Sequence, residues 1–115
     1  MVTSSPERRS RAEYTLELIR ELARGGSIAY IGTTESDAAE INYEPEHVGE
    51  CLCCLGEEHY DQSIRYDPQQ RWRDVYHIDH EGPDGITRKL YIKLHVDRSC
   101  VCIYLNSFHP RKFNR

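Results

Sequence analysis

The sequence has no apolar run long enough for a transmembrane helix, which needs about 20 predominantly apolar residues. Its opening residues, MVTSSPERRS, contain no apolar segment of the kind a secretory signal requires, so a cytoplasmic protein is expected and no membrane partner. Its five cysteines fall as Cys51, Cys53, Cys54 and as Cys100, Cys102, and the pairs Cys51/Cys53 and Cys100/Cys102 are spaced C-x-C rather than as the C-x₂-C knuckles usual in structural zinc sites. It has no G-x-x-x-x-G-K-[ST] phosphate loop, no G-x-S-x-G and no H-E-x-x-H, which removes the common nucleotide, serine-hydrolase and metalloprotease readings. There is no internal repeat and no low-complexity tract. There is also no net positive charge: the formal value is −4, an awkward one for a nucleic-acid binder, because phosphate contacts supply most nonspecific affinity.

What is present fits one modest α+β domain. A chain of 115 residues buries about two-thirds of its unfolded surface, enough for a single core. Charge is unevenly spread. Arg8, Arg9 and Arg11 lie near the start, Arg111, Lys112 and Arg115 at the end, and acids crowd Glu35 to Asp61. Local basic patches on an acidic body can still hold a short nucleic acid, although such runs are often only solvated surface. In a reducing cytosol the cysteines read as small, apolar side chains, with a metal site on Cys51, Cys53, Cys100 and Cys102 as the sharper alternative.

Residues 1–12 read as a flexible N-terminal arm, and 13–115 as the folded domain. Leu16, Ile19, Leu22 and Ala23 share a helical face, and Gly25-Gly26 supplies a stop. Ser27–Ile31 is a strand or extended connector. Thr34 to Ile41 gives a short helix. Pro45 opens another, with Val48, Cys51, Leu52 and Leu55 as its buried stripe before Gly56. Glu57–Ile64 is expected to be a further short helix, and Tyr66–Gln70 a loop. From Arg71 the period becomes two. The strand containing Trp72, Asp74, Tyr76 and Ile78 on one side and Arg73, Val75 and His77 on the other cannot be oriented from pattern alone. Thr87–Asp97 is the clearest strand: Leu90, Ile92, Leu94 and Val96 face one way, Tyr91, Lys93 and His95 the other. Cys100–Phe108 follows, with Val101, Ile103 and Leu105 apolar. Helices first and antiparallel strands after predict N-terminal helices packed on one face of a C-terminal antiparallel sheet.

The polar face of that sheet carries the residues that could do chemistry. Tyr91, Lys93 and His95 lie on one strand, Tyr104 and Asn106 on the next, and His109 just beyond; Arg73 and His77 join them if the preceding strand has the right parity. Cleaving RNA by transesterification needs a base for the 2′-hydroxyl, charge stabilisation at phosphorus and an acid for the leaving oxygen. Histidine suits proton transfer near neutral pH, and arginine suits phosphate. The same Tyr-Lys-His alternation also occurs on inert wet sheet faces. His47, His59 and His80 read as surface or packing residues.

The order I-R-x-L-x-x-G-G, A-A-E-I-N-Y, V-G-E-C-L-C-C-L-G-E-E-H-Y-D-Q-S-I, W-R-D-V-Y, L-Y-I-K-L-H-V and I-Y-L-N-S-F-H-P resembles the motility quorum-sensing regulator (MqsR) family of bacterial toxins, from about Tyr14 to Pro110. The most specific pieces are Trp72 to Tyr76 and Leu90 to Leu94. The resemblance implies a RelE-like α+β fold, a ribosome-independent messenger-RNA endoribonuclease activity, a cognate antitoxin partner, and neither metal nor organic cofactor. It places the family's sheet tyrosine on Tyr91 and a lysine on Lys93. The family's lysine before Ser63 is here Gln62, its glutamine after the tryptophan is Arg73, and the lysine of its C-terminal S-F-K is His109. On this reading Tyr91, His109, Arg73 and Lys93 are the catalytic set, and Gln62, Arg111 and Lys112 bind RNA. The alternative is a catalytically weakened homologue that acts as a protein- or nucleic-acid-binding regulatory module.

Overall fold

The computed structural model describes residues 5–111. In chain order the elements are β1 (Glu7–Arg9), α1 (Leu16–Arg24), β2 (Ile28–Tyr30), α2 (Thr34–Glu40), α3 (Pro45–Cys53), a 3₁₀ turn (Glu57–His59), β3 (Tyr60–Arg65), β4 (Arg73–Glu81), β5 (Thr87–Val96) and β6 (Ile103–Pro110). The six strands form one sheet in the order β1-β3-β4-β5-β6-β2. The sheet is mixed rather than antiparallel, because β2 returns parallel to β6 after α1. Among the described residues no helix is long and apolar enough to cross a membrane.

Local chemistry explains the helix ends. The Thr15 side chain accepts from the Leu18 N–H at 3.1 Å and caps α1. At the other end Ser27 N–H bonds to Leu22 carbonyl, and Gly26 N–H to Ala23 carbonyl. This double closure needs a left-handed residue, and Gly26 has φ +74°. α3 starts on Pro45, with Glu44 N–H donating to His47 Nδ1 at 3.0 Å. His59 Nδ1 likewise accepts from Gly56 N–H at 2.8 Å. Both histidines are thus spent on helix starts. Gly49 lets α3 approach α1 closely: a Cβ there would stand 3.2 Å from the Ala23 carbonyl oxygen.

The core joins helices and strands. Ile19, Val48 and Leu52 cluster with Leu90, Ile92, Leu94, Ile103, Leu105 and Phe108, all with no solvent exposure. Removing this area from water at about 25 cal/mol per Å² is what holds the layers together.

Besides the antiparallel sheet, three expectations are corrected. The segment 57–64 is a helix only to His59; Tyr60–Arg65 is a strand, because β1 and β4 pair with it on either side and override a weak local preference. Of the arm expected over residues 1–12, residues 1–4 lie outside the described residues, and Glu7–Arg9 form β1, an edge strand against β3. The last strand begins at Ile103, not Cys100. Val101 is 61% exposed in a turn where the Asp97 carboxylate accepts from the Val101 and Cys102 N–H groups.

The β5–β6 register contains a bulge. Lys93 pairs with Ser107 but Leu94 pairs with Leu105, so Asn106 is an extra residue. Its carbonyl is taken up by the Thr34 hydroxyl at 3.1 Å. The bulge reverses the parity of β6 beyond it. Phe108 joins Ile103 and Leu105 in the core, and Ser107 and His109 turn to the open face.

Candidate functional site

The register settles the orientation of β4. Asp74, Tyr76 and Ile78 pair with Leu94, Ile92 and Leu90 and are buried with them, while Val75 and His77 pair with Lys93 and Tyr91 on the opposite face, where Val75 is covered and His77 is half-buried. His77 and Tyr91 ring centroids lie 5.6 Å apart, and Tyr91 stacks on His109 at 5.2 Å and 13°. Asp61, the extra residue of a second register shift in β3, places Oδ2 4.0 Å from His77 Nε2. A lateral row Asp61–His77–Tyr91–His109 therefore crosses four strands.

Electrostatics differ along the row. Burial lifts the Tyr91 phenol above its ordinary value, and the negative potential of Tyr66 and Asp61 adds to this while Arg8 opposes it. Tyr91 is therefore a neutral hydrogen-bond donor at neutral pH. Burial lowers His77, with Arg111 helping and Asp61 opposing, so its imidazole is mostly neutral there and able to take a proton.

Cations lie along the next rungs. Lys93 Nζ donates to the Tyr66 hydroxyl at 3.0 Å, and the Lys93 ammonium and Arg73 guanidinium stand 5.2 and 5.0 Å from the Tyr66 ring. Gln62 Oε1 accepts from Arg8 Nη1 at 2.9 Å, on the rung that pairs Gln62 with Val75 and Val75 with Lys93. Arg111 closes β6 with its N–H on the Lys89 carbonyl. Lys112 lies outside the described residues. So Tyr91 and His109 touch, Lys93 is one rung away, Arg73 is two rungs away beside His95, and Gln62 is two strands over. His77, Arg8 and Tyr66 also belong to this face. The sequence offered His77 subject to the parity of β4 and Arg8 only as part of the basic start; nothing in the pattern marked Tyr66.

Other reactive groups serve structure. Burial pushes Tyr43 up to about 12, and its hydroxyl pairs with His80 Nδ1 at 2.7 Å. All five cysteines are free thiols, and burial drives Cys51 far above the usual thiol range. Among the described residues no cysteine belongs to a cluster compact enough for a metal. Glu44, Glu46 and His47 offer ligand atoms within 4.8 Å of one another, on an exposed helix start where His47 Nδ1 is already engaged.

No curated protein matches the chain. The model of the family described as motility quorum-sensing regulator, toxin of MqsA, matches residues 11–109, and the chain belongs to that family.

Proposed function

We propose that this protein is the toxin of a toxin–antitoxin pair and a metal-independent messenger-RNA endoribonuclease, acting in the cytoplasm and neutralised by a cognate antitoxin. The observation that carries this is the His77–Tyr91–His109 row on an open sheet face with Lys93 and Arg8 beside it. The family and the mixed α+β architecture support a RelE-like arrangement, with the helices covering one sheet face and the other left to RNA.

In this mechanism His77 removes the 2′-hydroxyl proton. The 2′-oxygen then attacks phosphorus, the bond from phosphorus to the 5′-oxygen breaks, and His109 gives that oxygen a proton. The products are a 2′,3′-cyclic phosphate and a 5′-hydroxyl, and before the next turnover His77 loses its proton to solvent and His109 regains one. Tyr91 lies between them and donates a hydrogen bond to a non-bridging oxygen, where charge develops. Lys93 and Arg73 flank Tyr66 and hold the backbone; Gln62, Arg111 and Lys112 position RNA at the margins. Each acid–base group of this kind contributes about 10²–10⁴-fold.

Purified protein incubated with mixed RNA is expected to leave discrete cleavage ends. The double variant Tyr91→Phe, His109→Ala is expected to lose them by about a thousandfold or more while still folding. Undiminished cleavage by that variant removes these residues from the mechanism. Intact RNA with tight antitoxin binding establishes the binding-module alternative.

A further inference from the structure

A second concentration of positive charge lies two rungs along the open face from Tyr91. Arg71, Arg73 and Arg98 line one cleft of about 340 Å³ together with Gln69, Gln70 and His95. Among the described residues none of these three arginines pairs with a carboxylate, whereas Arg9, Arg65 and Arg88 each do. In a chain of formal charge −4, three guanidinium groups without a carboxylate partner at one opening make a local positive field that attracts an anion.

Two of the three are held in place by aromatic rings. Arg71 donates from Nε to the Tyr14 hydroxyl at 3.3 Å and lies 5.3 Å from that ring, and Arg73 stands over Tyr66. Arg98 comes from the β5–β6 turn and is exposed. Fixed guanidinium forks match phosphate oxygens bidentately. Beside the cleft, His95 stacks on Tyr104 at 5.0 Å and 17°, and His95 Nδ1 is tied to Asn106 Oδ1 at 3.0 Å. Both rings are half-buried, so they form an oriented platform rather than loose surface. Burial lowers His95, and Arg73 and Arg71 push the same way, while the Asn106 hydrogen bond and the Asp97 carboxylate oppose them. Charge plus a stacking surface is the combination that single-stranded nucleic acid uses.

We propose that the Arg71–Arg73–Arg98 cleft is a second phosphate subsite for single-stranded RNA, with the His95–Tyr104 pair as its base platform. It lies about 13 Å along β5 from Tyr91, four residues at about 3.3 Å each. The inference rests on the nuclease reading of the Tyr91 row and specifies its substrate: RNA that extends several nucleotides to one side of the cut. Arg73 then serves a neighbouring phosphate and not the scissile one.

The test is cleavage kinetics of the full chain carrying Arg98→Glu, with Tyr104→Ser as a second variant. The substrates are an oligoribonucleotide extending well beyond the cut on both sides and versions truncated on each side in turn. Arg98 has no side-chain partner among the described residues, so the fold is unaffected, and a melting curve verifies this. Arg98→Glu is expected to raise KM for the long substrate about tenfold, with kcat within about twofold. The KM difference disappears for the version that no longer reaches the cleft. The slope of log affinity against log salt falls by about 0.7 for the lost contact. Tyr104→Ser raises KM in the same length-dependent way without changing the salt slope. Normal cleavage with an unchanged KM and slope in Arg98→Glu overturns the subsite alone. Unchanged cleavage with lost antitoxin binding overturns it in favour of a protein surface. Wild-type protein that cuts no RNA overturns the nuclease reading on which it stands.

Discussion

Strand β4 has two sides with opposite uses for the same kinds of side chain. On the buried side, the Asp74 carboxylate accepts from Glu13 N–H and Tyr14 N–H at 3.0 Å and from the Ser63 hydroxyl at 2.6 Å. Ser63 in turn meets the Tyr60 hydroxyl at 2.7 Å. Burial still raises the Asp74 carboxyl above its ordinary value, with those hydrogen bonds opposing it. On the open side, three residues along, His77 has only Asp61 at 4.0 Å and one aromatic neighbour, Tyr91. A titratable group whose partners are all supplied by the protein fixes structure. One left with free ring nitrogens on a half-exposed face is available to a substrate.

This contrast can be broken most forcefully at Asp74. Asp74→Ala leaves two backbone N–H groups without their acceptor and takes the shortest partner from the Ser63 hydroxyl, which keeps the Arg11 carbonyl. It is expected to lower the unfolding free energy by about 3 kcal/mol, read by urea denaturation. RNA cleavage per folded molecule stays near wild type. If Asp74→Ala melts normally but does not cut, the two sides have been assigned the wrong way round.

His77→Asn is the opposite case. It is expected to cost about a hundredfold in kcat, while stability stays within about 0.5 kcal/mol of wild type. A stable variant with full activity takes His77 out of the proton relay.

Acid titration gives the smallest and most graded effect. His77, His80 and His95 are all lowered, in each case chiefly by burial. A lowered histidine favours the neutral folded state above its unfolded value of about 6.5, and this contribution is lost as pH falls through the folded value. Melting temperature should therefore decline below about pH 6.5, before the carboxylates titrate. The acid limb of kcat/KM should also lie below 6.5, and His77→Asn should remove it. An acid limb above that value contradicts a lowered His77 as the base.

Much of the frame was legible because it is local. The α1 stripe and its Gly25-Gly26 stop, the Pro45 start of α3 and the alternation of β5 depend on each segment's own residues. The structure places Leu90, Ile92, Leu94 and Val96 in the core and Tyr91, Lys93 and His95 opposite. β3 was hidden because Tyr60–Arg65 has no period of its own, its two buried positions being adjacent. β1 was hidden because three polar residues, Glu7–Arg9, become a strand only when β3 offers an edge.

The sequence by itself determined which residues share a side of an unbroken strand, since backbone geometry makes that a matter of counting by two. It also carried the motifs of the toxin family. Only the tertiary structure decided that His109 meets Tyr91. Uninterrupted alternation from Ile103 and Leu105 turns His109 toward the core; the extra residue Asn106, its carbonyl held by Thr34 of a distant helix, turns it outward. Such a bulge is set by partners far along the chain, so no count within β6 reveals it.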